Sequence, residues 1–370
     1  MPALRSAGAL VHHLIFSIGC LALIGGCAAI DVPDHDERAT LLSGEKLFGA
    51  AIEPAAPVDP LVVSEPMRRW IDDHSNESLP ARSRLRQLLK AMMNDGLLTL
   101  DYDFNRSLTA EETFERREGN CLSFSMLFVA LARESGLDAR FQLVSVPPMF
   151  DAKGQVVALN DHINIRIRGV RADATFVQDH VVDFNRAEYR GNHPSELVPD
   201  EVAVSLYHGN LAVDSLHGGD LPAAFAHLKR GLMLAPEVPA LWINLGYIYS
   251  QRGEPALAEQ AYLVALSLDG RSKPALSNLA RVARMQGKTE DAARYESRVR
   301  RFMMDNPYHH EHLARNALDG GGFEESLRHI DRAIDLKDDE PRFHHLRAIV
   351  HAQAGNMSAS RTSLRAAEKA

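Results

Sequence analysis

The stretch PALWINLGYIYSQRGEPALAEQAYLVA, residues 239–265, decides the fold of the C-terminal half of the chain. Trp242, Leu245, Gly246 and Tyr249 fall at helical spacing, and so, after a turn, do Ala258, Tyr262 and Ala265. The pattern predicts two helices packed as a hairpin, with small residues where the pair comes closest. It recurs with a period of 34 residues. One period back stand Ala212, Ala224, Gly231 and Pro236; the following periods bring Ala280 and Ala292, Ala314 and Ala333, then Ala348 and Ala367. Five units fit between Ser205 and Ala370. A lone hairpin cannot bury its own apolar face, so neighbours must stack into a solenoid.

The spacing resembles the tetratricopeptide repeat (TPR) pattern W-x2-L-G-x2-Y followed by A-x3-F. That resemblance implies an all-α TPR solenoid over residues 203–370, with a protein partner in its groove. Trp242 and Tyr249 then read as core residues, and Gly320, Gly321 and Gly322 as the hairpin turn of the fourth unit. His309, His310 and His312, like His344, His345 and His351, lie at or near repeat starts. They read as solvated helix ends and not as a metal site, because no cysteine or carboxylate pattern completes one.

Toward the N-terminus the period changes. Phe124, Leu127, Phe128 and Leu131 predict a helix that runs from Cys121 and stops at Gly136. Phe141–Val146 has strand composition and ends at Pro147 and Pro148. His162, Asn164, Arg166 and Arg168 alternate with Ile163, Ile165 and Ile167, the signature of a half-buried strand, and Val181–Phe184 is a third strand. Two helical stretches between Pro66 and Gly96, with Leu85, Leu88, Leu89 and Met92 on one face, precede them. The whole predicts an α+β domain over residues 66–200, its helix packed on an antiparallel sheet.

Asn120 is a good N-cap, which places Cys121 in the first turn of its helix. There the orphan N–H groups and the positive end of the helix dipole favour a thiolate. The run Glu118–Gly119–Asn120–Cys121–Leu122–Ser123, continuing through Ala130–Arg133 to Gly136–Arg140, resembles the transglutaminase-like, papain-like superfamily of cysteine enzymes. The resemblance spans Leu97 to Asn192 and implies Cys121 as nucleophile, His162 as its proton partner and Asp183 as the carboxylate that orients the histidine. Phe184 and Asn185 stand where relatives commonly carry proline and threonine. The Cys121 backbone N–H, exposed by the Asn120 cap, is the candidate oxyanion donor. Asp161 and Asp179 are competing carboxylates, and His180, ahead of the last strand, suits a loop. The implied chemistry is attack on an amide carbonyl through a thioester, resolved by water, or by an amine in a transamidase, with no cofactor and no metal. A silent TPR scaffold is the reading from another class. No glycine-rich phosphate loop appears.

Arg5 is the only formal charge ahead of an apolar run, Leu14–Ile24, that is shorter than the roughly 20 residues of a membrane span. Leu23–Ile24–Gly25–Gly26–Cys27 resembles the lipobox of bacterial lipoprotein precursors, which implies a signal peptide over 1–26 and a lipid on Cys27. Ala28, where an aspartate would signal retention at the inner membrane, implies the outer membrane, facing the periplasm. Residues 27–65, rich in Ala, Pro, Asp and Val, read as a lipidated linker. Cys20 and Cys27 belong to this leader, so Cys121 is the sole cysteine of the processed chain and has no second cysteine to bond. Lys and Arg number 41 against 49 Asp and Glu, a net charge of −8 without a basic run, which excludes nucleic acid as partner. A protein or peptide substrate, a protein on the TPR groove and a membrane reached through the lipid remain.

Overall fold

The computed structural model describes residues 32–98, 106–145, 149–150, 156–158, 161–171, 177–184 and 194–370. The apolar leader, Cys20, Cys27, and the strand end at Val146, Pro147 and Pro148 lie outside them. Among the described residues no helix is long and apolar enough to cross a membrane.

Ahead of the α+β part lie α1 (His35–Ser43) and α2 (Glu45–Phe48); the part itself begins with α3 (Glu65–His74), α4 (Ala81–Asn94) and α5 (Ala110–Arg116). It continues into the cysteine helix α6 (Cys121–Glu134). Then come β1 (Asp138–Ser145), β2 (Met149–Phe150), β3 (Val156–Ala158), β4 (Asp161–Arg171), β5 (Val177–Val182) and β6 (Ser195–Val198). Four strands form one sheet in the order β5-β4-β1-β6, while β2 and β3 pair apart. The register is antiparallel throughout, with Phe141 opposite Ile165 and Ile165 opposite Val182. Every residue from Leu122 to Ala132 is buried. An amphipathic helix would keep one face wet. This one is wrapped, with the β1/β4 sheet on it and Met67, Leu85, Leu88 and Met92 of α3 and α4 in the same core.

The helical half is five hairpins: α7 (Asp200–His217) with α8 (Leu221–Leu234), α9 (Pro239–Gln251) with α10 (Pro255–Leu268), α11 (Lys273–Met285) with α12 (Thr289–Met304), α13 (Pro307–Asp319) with α14 (Phe323–Leu336), and α15 (Pro341–Gln353) with α16 (Met357–Ala367). The small residues of the 34-residue period sit where expected: Ala212, Ala258, Ala280, Ala314 and Ala348 are all buried. At Gly246 an added Cβ would lie 2.5 Å from Tyr262 Cε1, so the two helices of that hairpin touch there with no room for a methyl group.

Three features correct or add to the sequence reading. Residues 27–65 are not simply a linker. Leu41 is fully buried in the core of the repeats, and its carbonyl accepts the Tyr249 hydroxyl at 2.7 Å. Lys229 and Arg230 donate to the carbonyls of Ile52 and Ala55, and Ala55 N–H donates to Ala226, so the segment is a strap along the first two hairpins. Leu47, Phe48 and Ile52 pack against the same core, but these apolar residues are scattered among Ala, Pro and Asp without a sustained period, so composition alone hid them. Second, α7 packs on both sides of the boundary near residue 200. In α7, Val202 and Ala212 belong to the repeat core, while Ala203 and Tyr207 belong to the core around α6. The Arg133 guanidinium also forks onto both oxygens of Asp200 at 2.6 and 2.8 Å. Third, His309, His310 and His344 are buried and not solvated helix ends. His310 Nε2 meets the Met304 carbonyl and His344 Nε2 the Asp338 carbonyl, six residues back, as Trp242 Nε1 does with Pro236. The imidazole replaces the indole at this position of the repeat.

Candidate active site

Gly119 starts the site. Its φ is +147°, and a Cβ there would sit 2.7 Å from the Ser123 Cβ, so only glycine lets the chain turn this tightly into α6. Asn120 follows as N-cap: its Oδ1 accepts the Ser123 N–H at 3.0 Å. Cys121 is thereby the first helical residue, half-buried, its backbone N–H among those the helix cannot satisfy.

His162 is the second residue of β4, and alternation puts it on one strand face with Asn164 and Arg166, opposite Ile163, Ile165 and Ile167. The β4/β5 register pairs Ile165 with Val182; one step further brings Asp183, the residue just after β5, opposite Asn164 and diagonal to His162. Asp183 Oδ1 lies 2.7 Å from His162 Nε2, and its Oδ2 accepts from Asn164 Nδ2 at 3.2 Å. His162 also hydrogen-bonds Cys121. With Nε2 engaged by Asp183, Nδ1 is the ring atom left for the sulfur. Burial disfavours the imidazolium, but the hydrogen bonds to Asp183 and Cys121 and the charges of both outweigh it, and the His162 pKa is pushed up to about 9. At neutral pH the imidazole is therefore protonated.

The three residues singled out from the sequence thus meet: Cys121 on the helix, His162 on β4 and Asp183 at the end of β5. Asp183 is not on a strand, as expected, but directly after one. Of the competitors, the Asp161 side chain lies outside the described residues. Asp179 is exposed and accepts the Gly169 N–H, and His180, which lies in β5 and not in a loop, is exposed. Phe184, where relatives carry proline, packs against Phe124 and Phe128 with ring centroids 6.1 and 5.7 Å away. That contact pins the residue next to Asp183 onto the cysteine helix. Asn164 and Ser107 were missed. Asn164 is legible in retrospect as the residue two places after His162 on the same face; nothing in the sequence marks Ser107, whose hydroxyl accepts the Asn120 side-chain amide at 2.7 Å. Among the described residues no cluster of three or more His, Cys, Asp or Glu side chains could hold a metal ion.

A sheet carrying His162, with Asp183 just past its edge strand, packed against a helix that starts on a cysteine and continued by stacked helical hairpins, defines a cysteine-histidine-aspartate domain fused to a repeat array. Residues 73–201 match the transglutaminase-like superfamily. Residues 210–275 and 312–370 match one tetratricopeptide repeat family and residues 274–294 a second. The chain carries a transglutaminase-like domain followed by tetratricopeptide repeats. Among solved structures it is similar to MamA 41-end from Desulfovibrio magneticus RS-1, with 14% identity over 46% of this chain and 95% of that one and a TM-score of 0.26. It is also similar to Pseudomonas aeruginosa pilF, with 17% identity over 46% and 78% and a TM-score of 0.27. A third is YrrB, described as a TPR protein with an unusual peptide-binding site, with 15% identity over 44% and 84% and a TM-score of 0.26. No curated protein matches.

Proposed function

We propose that the chain is a cysteine amidase or peptidase, held at the cell envelope by a lipid on Cys27, whose repeat array holds a protein partner. The observation that carries the reading is His162, buried between Cys121 and Asp183 and hydrogen-bonded to both. The Cys121 sulfur adds to the carbonyl carbon of an amide, and the oxyanion that forms faces the N–H groups at the start of α6. His162 gives its proton to the departing amine nitrogen, the C–N bond breaks, and an acyl thioester remains. Water then attacks that thioester, His162 takes its proton, and the acid leaves as the sulfur regains its electron pair. Asp183 keeps the imidazole in orientation and stabilises its charged form. Support for the anchor comes from the lipobox-like sequence alone.

The test is alkylation of Cys121 by iodoacetamide across pH and, in parallel, hydroxylamine trapping of the acyl thioester that Cys121 forms with envelope extracts, which releases the acyl group as a hydroxamate. Labelling is expected to be fast near neutral pH and slowed about tenfold or more by His162→Ala, the factor a lost charge-assisted hydrogen bond is worth. A thiol that labels slowly at every pH, indifferent to His162→Ala, overturns the enzyme reading and leaves a scaffold.

A further inference from the structure

One hydrogen-bonded path joins the repeat array to the start of the cysteine helix. Asn210 lies in α7, the first helix of the array, and its Nδ2 donates to Ser107 Oγ at 2.8 Å. The same oxygen accepts Asn120 Nδ2 at 2.7 Å. Ser107 and Asn120 are 5% and 7% exposed, so water does not compete for these bonds. A hydroxyl has two acceptor lone pairs, and here both are filled, one from each amide. The Ser123 N–H can only donate, so it takes Asn120 Oδ1 and leaves Nδ2 for Ser107, and the Asn210 amide on the same oxygen holds that hydroxyl in its accepting role. The next residue of the same extended segment repeats the tie, since Leu108 N–H donates to Ser123 Oγ at 2.8 Å.

We infer that Asn210 is a positioning residue for Cys121, acting through Ser107 and Asn120, so that the first repeat helix is part of the reactive site; the inference rests on the proposed cysteine chemistry. The reason is geometric. Cys121 immediately follows the cap, and an Asn120 amide free to rotate would release Ser123 N–H and let the first turn fray, which moves the sulfur relative to His162. Asn210 approaches from a helix that also buries Ala203 and Tyr207 against the α6 core, so its donor is held on a rigid element.

The experiment uses the full chain in detergent, with Asn210→Leu, Ser107→Ala and the double variant. Asn210→Leu is expected to slow iodoacetamide labelling of Cys121 near neutral pH by about three- to tenfold, the factor of one buried hydrogen bond. It should also move the pH profile toward that of His162→Ala. Ser107→Ala should do the same, and the double variant should be no slower than the slower single one, because both act along one path. Amide exchange at Ser123 should quicken in each. A purely structural role would lower the melting temperature while folded protein kept the wild-type labelling profile and Ser123 protection. That outcome, or effects that simply multiply in the double variant, overturns the inference. If Asn210→Leu does not fold, Ser107→Ala alone reads the same path. Slow wild-type labelling indifferent to His162→Ala overturns the enzyme reading and the inference with it; fast wild-type labelling, sensitive to His162→Ala and unmoved by Asn210→Leu, overturns the inference alone.

Discussion

Gly246→Ala is expected to destabilise the array although alanine is the better helix former. The new Cβ would sit 2.5, 2.7 and 2.9 Å from Cε1, Cδ1 and Cζ of Tyr262. Carbon atoms prefer about 3.5–4.0 Å, so the ring must retreat by about 1 Å. Tyr262 is fully buried and has nowhere to go. Overpacking of this kind costs about 1–3 kcal/mol, partly offset by the helix propensity that alanine gains over glycine, about 1 kcal/mol. The repeats themselves support the assignment. At the place of Tyr262 the other hairpins carry Leu228, Glu296, Ile330 and Leu364, and opposite those the residue is alanine: Ala212, Ala280, Ala314 and Ala348. Glycine appears only where the facing residue is aromatic. In a Tyr262→Ala background the ring is gone, so Gly246→Ala should reverse sign and stabilise by up to about 1 kcal/mol. Thermal melts followed by circular dichroism measure all four chains, at about 2–4 °C per kcal/mol for a unit of this size. A raised midpoint for Gly246→Ala in the wild-type background, or an effect that is the same with and without the Tyr262 ring, would refute the packing argument.

Stability should fall on both sides of neutrality. Burial, with His227 and Arg230 nearby, lowers the His208 pKa to about 4, and burial with His310 and its neighbours does the same for His309. Unfolded, both titrate near 6.5, so their stabilisation is present above 6.5 and lost as pH falls toward 4, each by up to about 3 kcal/mol. His162 runs the other way: raised to about 9, it stabilises below 6.5 and the gain is lost as pH rises through 9. Urea midpoints that stay level between pH 7 and 4.5 would contradict the first half, and level midpoints between 7 and 9.5 the second. Asp183→Asn should leave the fold intact and let the His162 ring lose its proton at lower pH, read from its carbon-bound proton shifts; an unmoved titration would detach Asp183 from the histidine. Cys27→Ser should abolish incorporation of a palmitate analogue, and equal label in both chains would remove the anchor. Arg133→Ala should cost about 1 kcal/mol, because its fork onto Asp200 is about one-third exposed; melts of the full chain check it.

Periodicity made the helices and strands legible. The 34-residue pattern marked all five hairpins, and the alternation of Ile163, Ile165 and Ile167 marked β4, because those signals arise from burial of one face. The site was legible for a different reason: the Asn120 cap marks Cys121 at the start of a helix, while His162 and Asp183 were picked out through the resemblance to the transglutaminase-like superfamily. What was not legible is held by groups with no sequence signature. The strap over residues 41–55 docks through its carbonyls and a few unperiodic apolar side chains, and Ser107 is one serine among many. Residue 200 marks a change of period but not of packing, since Tyr207 of the first repeat fills a gap over α6.

The histidines show how one position of the repeat is read in several chemical languages. Three hairpins place a ring N–H on the carbonyl six residues back, from Trp242, His310 and His344. For His310 this settles the tautomer. With Nε2–H donating to Met304, Nδ1 must accept, and the partner at 3.2 Å is His329 Nδ1, which therefore carries its proton. An imidazole is smaller than an indole, and His329 across the hairpin fills the difference; where Trp242 takes the full volume, the facing residue is Ala261, and where Leu276 stands, it is Tyr295. The same His-His pair joins His208 to His227 at 3.1 Å in the first hairpin. Each such pair holds one shared proton well and two badly. Of the histidines that look like a metal cluster in sequence, His310 is thus one half of a volume-matched pair, as His208 is in the first hairpin.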